Sequence, residues 1–347
     1  MTNNVKKYLI LNNSSISDAI KRLNEINPQI LFVVNKSSKL LGSVTDGDVR
    51  RYILKSEPLN KNIKYAINKN PVTCNIRKKK LELNYYENLL VKRNLKAIPV
   101  TKNKKIVDII FTKIIHKQFT PVVIMAGGKG SRLLPMTANI PKPLIKINSK
   151  PMLQHLIENI KNEDFQNIFI SINHFGLQIK KFINSIKFKD INIKFVEEKT
   201  PLDTAGCLSF FKNKIDKNLI VINADVMTDL KLEKILNYHL DSKSDLTIGC
   251  LIHQYQIPFG VISLKKNKYN AIEEKPIIKK LVNCGIYVLS KNVIMLTKKN
   301  ERLSMLDLIE RAKLKNKKIA LFPMHENWID VGNKVNLQRA RNWLTEK

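Results

Sequence analysis

The stretch IMAGGKGSRLLPMTANIPKP, residues 124–143, decides how this chain is read. The apolar run 122–125 predicts a strand that ends in Gly127, Gly128 and Gly130. A strand ending in glycines can turn sharply and aim its backbone N–H groups at one point, with no Cβ to keep phosphates away. Arg132 adds a planar guanidinium just beyond the turn, and Lys142 adds a point cation between two prolines. The expected ligand is a polyanion with several phosphates. A Walker A loop would need Gly-x-x-x-x-Gly-Lys-Ser/Thr, which is absent, and Leu133 stands where the dinucleotide fingerprint needs its third glycine.

The combination GGKGSRLLPMT followed by PKP closely resembles the signature of the sugar-1-phosphate nucleotidyltransferases. Working outward from it, apolar runs predict strands at 122–125, 168–172, 191–196, 219–223, 246–251, 261–264 and 282–289. Amphipathic helices are expected between several of them, at 152–161, 232–240 and 305–314, with a last helix at 335–344. Such alternation predicts an α/β fold with a mostly parallel sheet covered on both faces, its ligands at the carboxyl ends of the strands. The resemblance implies the same Rossmann-like architecture over about 121–333, within a domain spanning 120–347.

Further stations follow in the order that family shows. In TPLDTAGCL (200–208) the resemblance lays the backbone of Thr204, Ala205 and Gly206 against the nucleotide base. Asp203 stands at a position where relatives carry Gly, and either alters base contacts or caps the helix that follows. Strand 219–223 runs into Asp225, and WIDVGN carries Asp330. An acid at the carboxyl end of a buried strand suits a hard cation at a ligand crevice. By resemblance Asp225 and Asp330 jointly hold Mg²⁺. The resemblance also implies that Gly260 lets a sugar ring sit against backbone, that Glu274 meets sugar hydroxyls and Lys275 the sugar phosphate. It places Asn283 and Gly285 on the strand closing the sugar pocket. No Ser–His or Cys–His arrangement suggests a covalent intermediate. The implied activity is Mg²⁺-dependent transfer of a nucleotidyl group from a nucleoside triphosphate to a sugar 1-phosphate. A resemblance of domain architecture implies GTP and glucosamine 1-phosphate. The motifs also fit other hexose or heptose 1-phosphate guanylyl-, uridylyl- or cytidylyltransferases, and a nucleotide sensor that has lost activity is the reading from another class.

Residues 1–119 carry an internal repeat: ILFVVNKSSKLLGSVT (30–45) is echoed by KAIPVTKNKKIVDIIFT (96–112), each copy reading as strand, polar turn, strand. Helices are expected ahead of each, at 17–27 and 80–93. This α+β repeat resembles a tandem pair of CBS motifs, a module that can join two subunits. In GSVTDGDVRR, Gly42, Thr45 and Asp48 match an element by which that family holds the ribose and phosphate of an adenine nucleotide. Helix capping is the plainer role for Thr45 and Asp48. In the second copy Asp108, Phe111 and Ile114 replace the three, so at most one nucleotide site is expected.

The 347 residues carry a net charge of +32, and the 119 residues before Thr120 hold 24 Lys+Arg against 8 Asp+Glu. Lys outnumbers Arg and few aromatics interleave the basic runs, so anionic substrates are expected rather than nucleic acid or a membrane surface. Cys74, Cys207, Cys250 and Cys284 are scattered without metal spacing. With an N-terminus lacking a secretory pattern, they fit a reducing cytoplasm. A homo-oligomer is expected.

Overall fold

The computed structural model describes residues 3–55, 57–93, 95–111, 120–128, 130–186, 188 and 191–345. Ile114 and the residues leading to the 119/120 boundary lie outside them. Two compact units are present, one of Met1–Lys117 with Leu236–Lys243, the other of Gln118–Ile235 with Ser244–Lys347. The sequence had left Leu236–Lys243 with the second region.

The first unit repeats one design. Strand Ile30–Val34 pairs parallel with Leu9–Leu11 and antiparallel with Leu40–Thr45; strand Ala97–Lys102 pairs parallel with Cys74–Asn75 and antiparallel with Lys105–Phe111. Both hairpins slip register at the same place, after Val33 and after Val100, so Gly42 and Asp108 occupy equivalent positions. The copies share a core in which Ile30, Phe32 and Val34 meet Ala97, Ile106 and Ile109. The tandem CBS pair is therefore present. Gly42 has its own structural reason: a Cβ there would lie 2.5 Å from the Asn68 carbonyl. The helix expected at 80–93 begins earlier, at Ile76, and breaks helical geometry at Glu82.

The second unit is built on a seven-stranded sheet. Its order is Asn192–Glu197, Asn167–Ile172, Val122–Met125, Asn218–Asn223, Ile277–Ser290, Leu246–Gln256, Ile319–Met324. The first four strands are mutually parallel; Ile277–Ser290 runs antiparallel to both neighbours, and the edge strand is parallel to Leu246–Gln256. A mostly parallel sheet is thus confirmed, with one reversed strand. Val122, Val123, Ile124 and Leu219–Ile222 are fully buried, as continuous apolar runs should be when helices cover both faces. Helix Met152–Asn162 turns Leu153, Leu156, Ile157 and Ile160 inward. Helix Met305–Leu314 starts on a capping box between Ser304 and Asp307.

The chain leaves Val122–Met125 toward one side of the sheet and returns on the other as Asn218–Asn223. This is a topological switch point, and a crevice opens beyond the carboxyl ends of these strands.

Candidate active site

A cavity of about 500 Å³ fills that crevice. Ala126, buried, donates its amide to the Ser171 carbonyl at 2.9 Å and launches the glycine turn. Gly127, Gly128 and Gly130 all line the cavity, and a Cβ on Gly128 would meet only open space. Gly130 is left-handed, φ 68°, and a Cβ there would stand 2.9 Å from Lys142 Cβ. The loop packs directly on Lys142.

Arg132 sits in a 3₁₀ turn, Ser131–Leu133, and Lys142 opens a second, Lys142–Leu144, entered through Pro141. Both line the cavity. Lys142 is only 9 % exposed and forms an ion pair with Asp225. The short antiparallel pair Val226–Thr228 and Trp328–Asp330 sets Val226 opposite Asp330, and the Val331 amide bonds the Asp225 carbonyl at 3.0 Å. Two acids distant in sequence are thereby brought side by side.

Burial holds the Asp330 carboxyl above its ordinary range, and the Asp225 charge pushes the same way, against Lys142 and Arg132. Asp330 Oδ1 is the one buried side-chain polar atom among the described residues without a hydrogen-bond partner. Such an oxygen, beside a second carboxylate, is the setting a divalent cation fits. No cluster of three or more potential ligands occurs among the described residues. Magnesium asks for no more, since it commonly takes one or two carboxylates and completes its shell with water and phosphate.

Thr204 also lines the cavity, and its hydroxyl accepts the Met305 amide at 2.8 Å. Ala205 and Gly206 are buried behind it instead of facing the ligand space. The Ala205 amide bonds the Leu303 carbonyl, and a Cβ on Gly206 would lie 2.3 Å from the Glu301 carbonyl. Both positions are packed closely by backbone. Asp203 is no cap: Leu202 holds that position, and Asp203, left-handed at φ 63°, accepts from the next amide, that of Thr204, and pairs with Arg302.

The residues expected on the sugar side lie apart from these. Gly260, Glu274 and Lys275 lie on an exposed two-stranded ribbon and none lines the cavity. The ribbon is exposed because the strands around 246–256 and 277–290 run well past the sheet as a ladder of their own. Asn283 turns inward along its own strand, donating to the Tyr287 hydroxyl and accepting from the Gly285 amide. Gly285, at φ 70°, allows Asn223 to lie against it, where a Cβ would come within 2.6 Å of Asn223 Nδ2. It is Asn223, not either of these, that reaches the cavity.

In the first unit Thr45 caps helix Asp46–Ile53 in a capping box with Asp48, which also pairs with Arg51. Both side chains are occupied in the capping role.

Glu198, Asn223, Arg302 and Gly332 also line the cavity. Glu198 accepts from Ser171 Oγ and, at 3.0 Å, from the Leu202 amide, tying the 199–203 turn to the sheet. Gly332 fits because a Cβ there would press on Asp330 Oδ1 and the Arg132 guanidinium. Gly332 was visible in WIDVGN; Arg302 has no local signal.

A family model described as nucleotidyl transferase matches residues 121–347, and one described as CBS domain matches residues 4–55. Among curated proteins, the chain is 30 % identical over 224 residues to mannose-1-phosphate guanyltransferase of Gibberella zeae, covering 60 % of each. It is 31 % identical over 236 residues to the bifunctional protein GlmU of Methanocaldococcus jannaschii, covering 65 % of this chain and 54 % of that one. The chain thus spans about 60 % or less of the length of these relatives. Among solved structures, HddC from Yersinia pseudotuberculosis is 27 % identical with a TM-score of 0.54, covering 65 % of this chain and 99 % of that one. The same protein complexed with GMP-PN gives a TM-score of 0.52 at 27 % identity.

Proposed function

The chain belongs to the nucleotidyl transferase family, and on that premise we propose that it joins a nucleoside triphosphate to a sugar 1-phosphate, releasing pyrophosphate. The observation that carries this is the meeting, in one cavity, of a glycine turn, Arg132, Lys142 and Asp225, with Asp330 next to them.

A sugar-1-phosphate oxygen attacks the α-phosphorus in line, and the β–γ diphosphate departs. The nucleophile is already anionic near neutral pH, so the residues need to position and neutralise more than to move protons. Backbone amides of Gly127, Gly128 and Gly130 receive phosphate oxygens, Arg132 holds the leaving pyrophosphate, and Lys142 sits against the reacting phosphates. Asp225 and Asp330 would hold Mg²⁺, which, when bound, supplies positive charge between two mutually repelling phosphates. Lys275 is assigned to the sugar phosphate and Glu274 to sugar hydroxyls. Lys142→Ala should lower turnover by about 100-fold or more while leaving the circular dichroism unchanged. Near-normal turnover would refute the assignment.

GTP is the donor and glucosamine 1-phosphate the acceptor in this reading. The pairing of this domain with a CBS module resembles the glucosamine-1-phosphate guanylyltransferase of bacterial legionaminic acid synthesis. A relative named for guanylyl transfer and a similar structure solved with GMP-PN support guanine. Pyrophosphate release is measured with each triphosphate against a panel of sugar phosphates; GTP performing no better than UTP or CTP would overturn that choice. Adenosine monophosphate is the proposed effector at Thr45 and Asp48, where it must compete with capping. Calorimetry on the full chain showing no heat with that nucleotide removes the regulatory role.

A further inference from the structure

Contacts along the cavity wall give the order of its groups. At Gly332 a Cβ would stand 3.0 Å from Asp330 Oδ1 and 3.4 Å from the Arg132 guanidinium. Lys142 pairs with Asp225 and packs on Gly130. From there the glycine turn leads back to Gly127, where a Cβ would lie 3.6 Å from Glu198 Oε1. Glu198 Oε2 in turn takes the Leu202 amide at 3.0 Å, and Asp203 follows. The glycine turn and Glu198 thus stand between the cationic groups and Asp203, whose neighbour on the wall is Arg302.

The fold does not account for an aspartate at 203. It caps no helix, and its φ of 63° is the conformation in which glycine is least strained. Its Oδ1 accepts from the adjacent Thr204 amide at 2.8 Å. Its Oδ2 faces Arg302 Nε at 3.8 Å, beyond hydrogen-bond range. A carboxylate offers about four acceptor positions, so most of this one's capacity is open to a ligand in the cavity. The charge of Asp203 opposes a phosphate, and Arg302 offsets that charge. What such a pair suits is a neutral group carrying donors beside an acceptor, and Pro201 and Ala126 add apolar surface to the same wall.

We propose that Asp203 selects guanine as the base of the triphosphate: its carboxylate accepts from N1–H and the N2 amino group, and Arg302 donates to O6. The inference rests on reading the cavity as the site of nucleotidyl transfer. Among the common bases guanine alone presents two donors side by side, with the O6 acceptor next to them. Uracil and thymine set a carbonyl on each side of a single N–H. Cytosine and adenine set a ring acceptor beside the amino group. Each of these would turn an oxygen or a ring nitrogen lone pair toward the carboxylate, leaving it repelled and unpaired.

The test is calorimetry on the full chain with magnesium and one triphosphate at a time. Wild type should bind GTP about 10–100-fold more tightly than inosine triphosphate, which lacks the N2 amino group, because a hydrogen bond to a charged acceptor is lost. Asp203→Gly should bring the two within about twofold of one another, and should melt no lower than wild type, since glycine suits a left-handed backbone. Asp203→Asn offers one acceptor and one donor. It should prefer xanthosine triphosphate, which has a carbonyl in place of that amino group, over GTP. A purely structural role for Asp203 would weaken every triphosphate alike, and that result overturns the proposal. So does a wild type indifferent to the N2 amino group, an Asp203→Gly variant that keeps the preference, or an effect confined to the KM of the sugar phosphate. Failure of the underlying reading shows separately, as a wild type that binds GTP selectively yet releases pyrophosphate with no sugar phosphate.

Discussion

At the scale of single residues, the glycine turn does two things with one atom's absence. Gly130 adopts a left-handed conformation, and its missing Cβ lets Lys142 Cβ approach where a methyl would stand 2.9 Å away. Gly130→Ala therefore costs about 1–2 kcal/mol of backbone strain and also pushes on the buried lysine that pairs with Asp225. The expected outcome is a modest loss of thermal stability with a disproportionate fall in turnover. Equal losses of stability and turnover at a temperature where the variant is folded would mean that Lys142 is not displaced. Most of the residues on this side of the cavity were legible because their chemistry is local: glycines, an arginine and a proline-flanked lysine within twenty positions. Glu198 and Arg302 were not, since nothing near either in sequence marks it as facing a ligand. Ala205 and Gly206 carry a second constraint that the motif did not announce: the close approach of the Glu301 carbonyl and the bond to the Leu303 carbonyl.

At the scale of elements, the segment 301–303 is the splint of the nucleotide side. It binds Leu202 and Ala205 through backbone bonds and is itself held by a bidentate pair, Arg311 to Glu301, at 2.8 and 2.9 Å. Arg311 draws the Glu301 carboxyl from an ordinary 4.5 down to about 2. A carboxylate depressed on folding stabilises above its unfolded pKa, and that contribution fades as pH falls from 4.5 toward 2. Both side chains are partly solvated, so the pair is worth about 1 kcal/mol at neutral pH. Glu301→Gln should melt a few degrees below wild type at pH 7, with the gap closing toward pH 2.5. A gap that persists in acid would assign the effect to packing. Elements with continuous apolar runs or a clean helical stripe, such as 122–125 and 152–161, were read nearly to the residue. Lys268–Glu274 was missed because KYNAIEE slips register at Asn270, breaking the two-residue alternation. The length of Ile277–Ser290 was also missed, because Lys279 and Lys280 interrupt its apolar run and the stretch lies beyond the sheet, where burial no longer dictates residue type.

At the scale of the whole molecule, a charge of +32 acts in two opposite directions. It draws anionic substrates toward the cavity, and it strains the folded chain by self-repulsion. Added salt screens both, since the Debye length shrinks from about 10 Å at 0.1 M to about 3 Å at 1 M. Potassium chloride should therefore lower kcat/KM by up to about tenfold while raising the melting temperature, because capture is weakened and repulsion relieved. kcat itself should change little, as Lys142 is buried and its bound-state contacts are screened far less than surface charge. A nucleic-acid-binding surface would give a different signature: RNA would raise the melting temperature at low salt and lose that effect steeply with added salt. Lysine without interleaved aromatics favours the substrate signature. Melting curves and initial rates across the same salt series separate the two, and a kcat/KM indifferent to salt would mean that the charge takes no part in drawing substrate to the cavity.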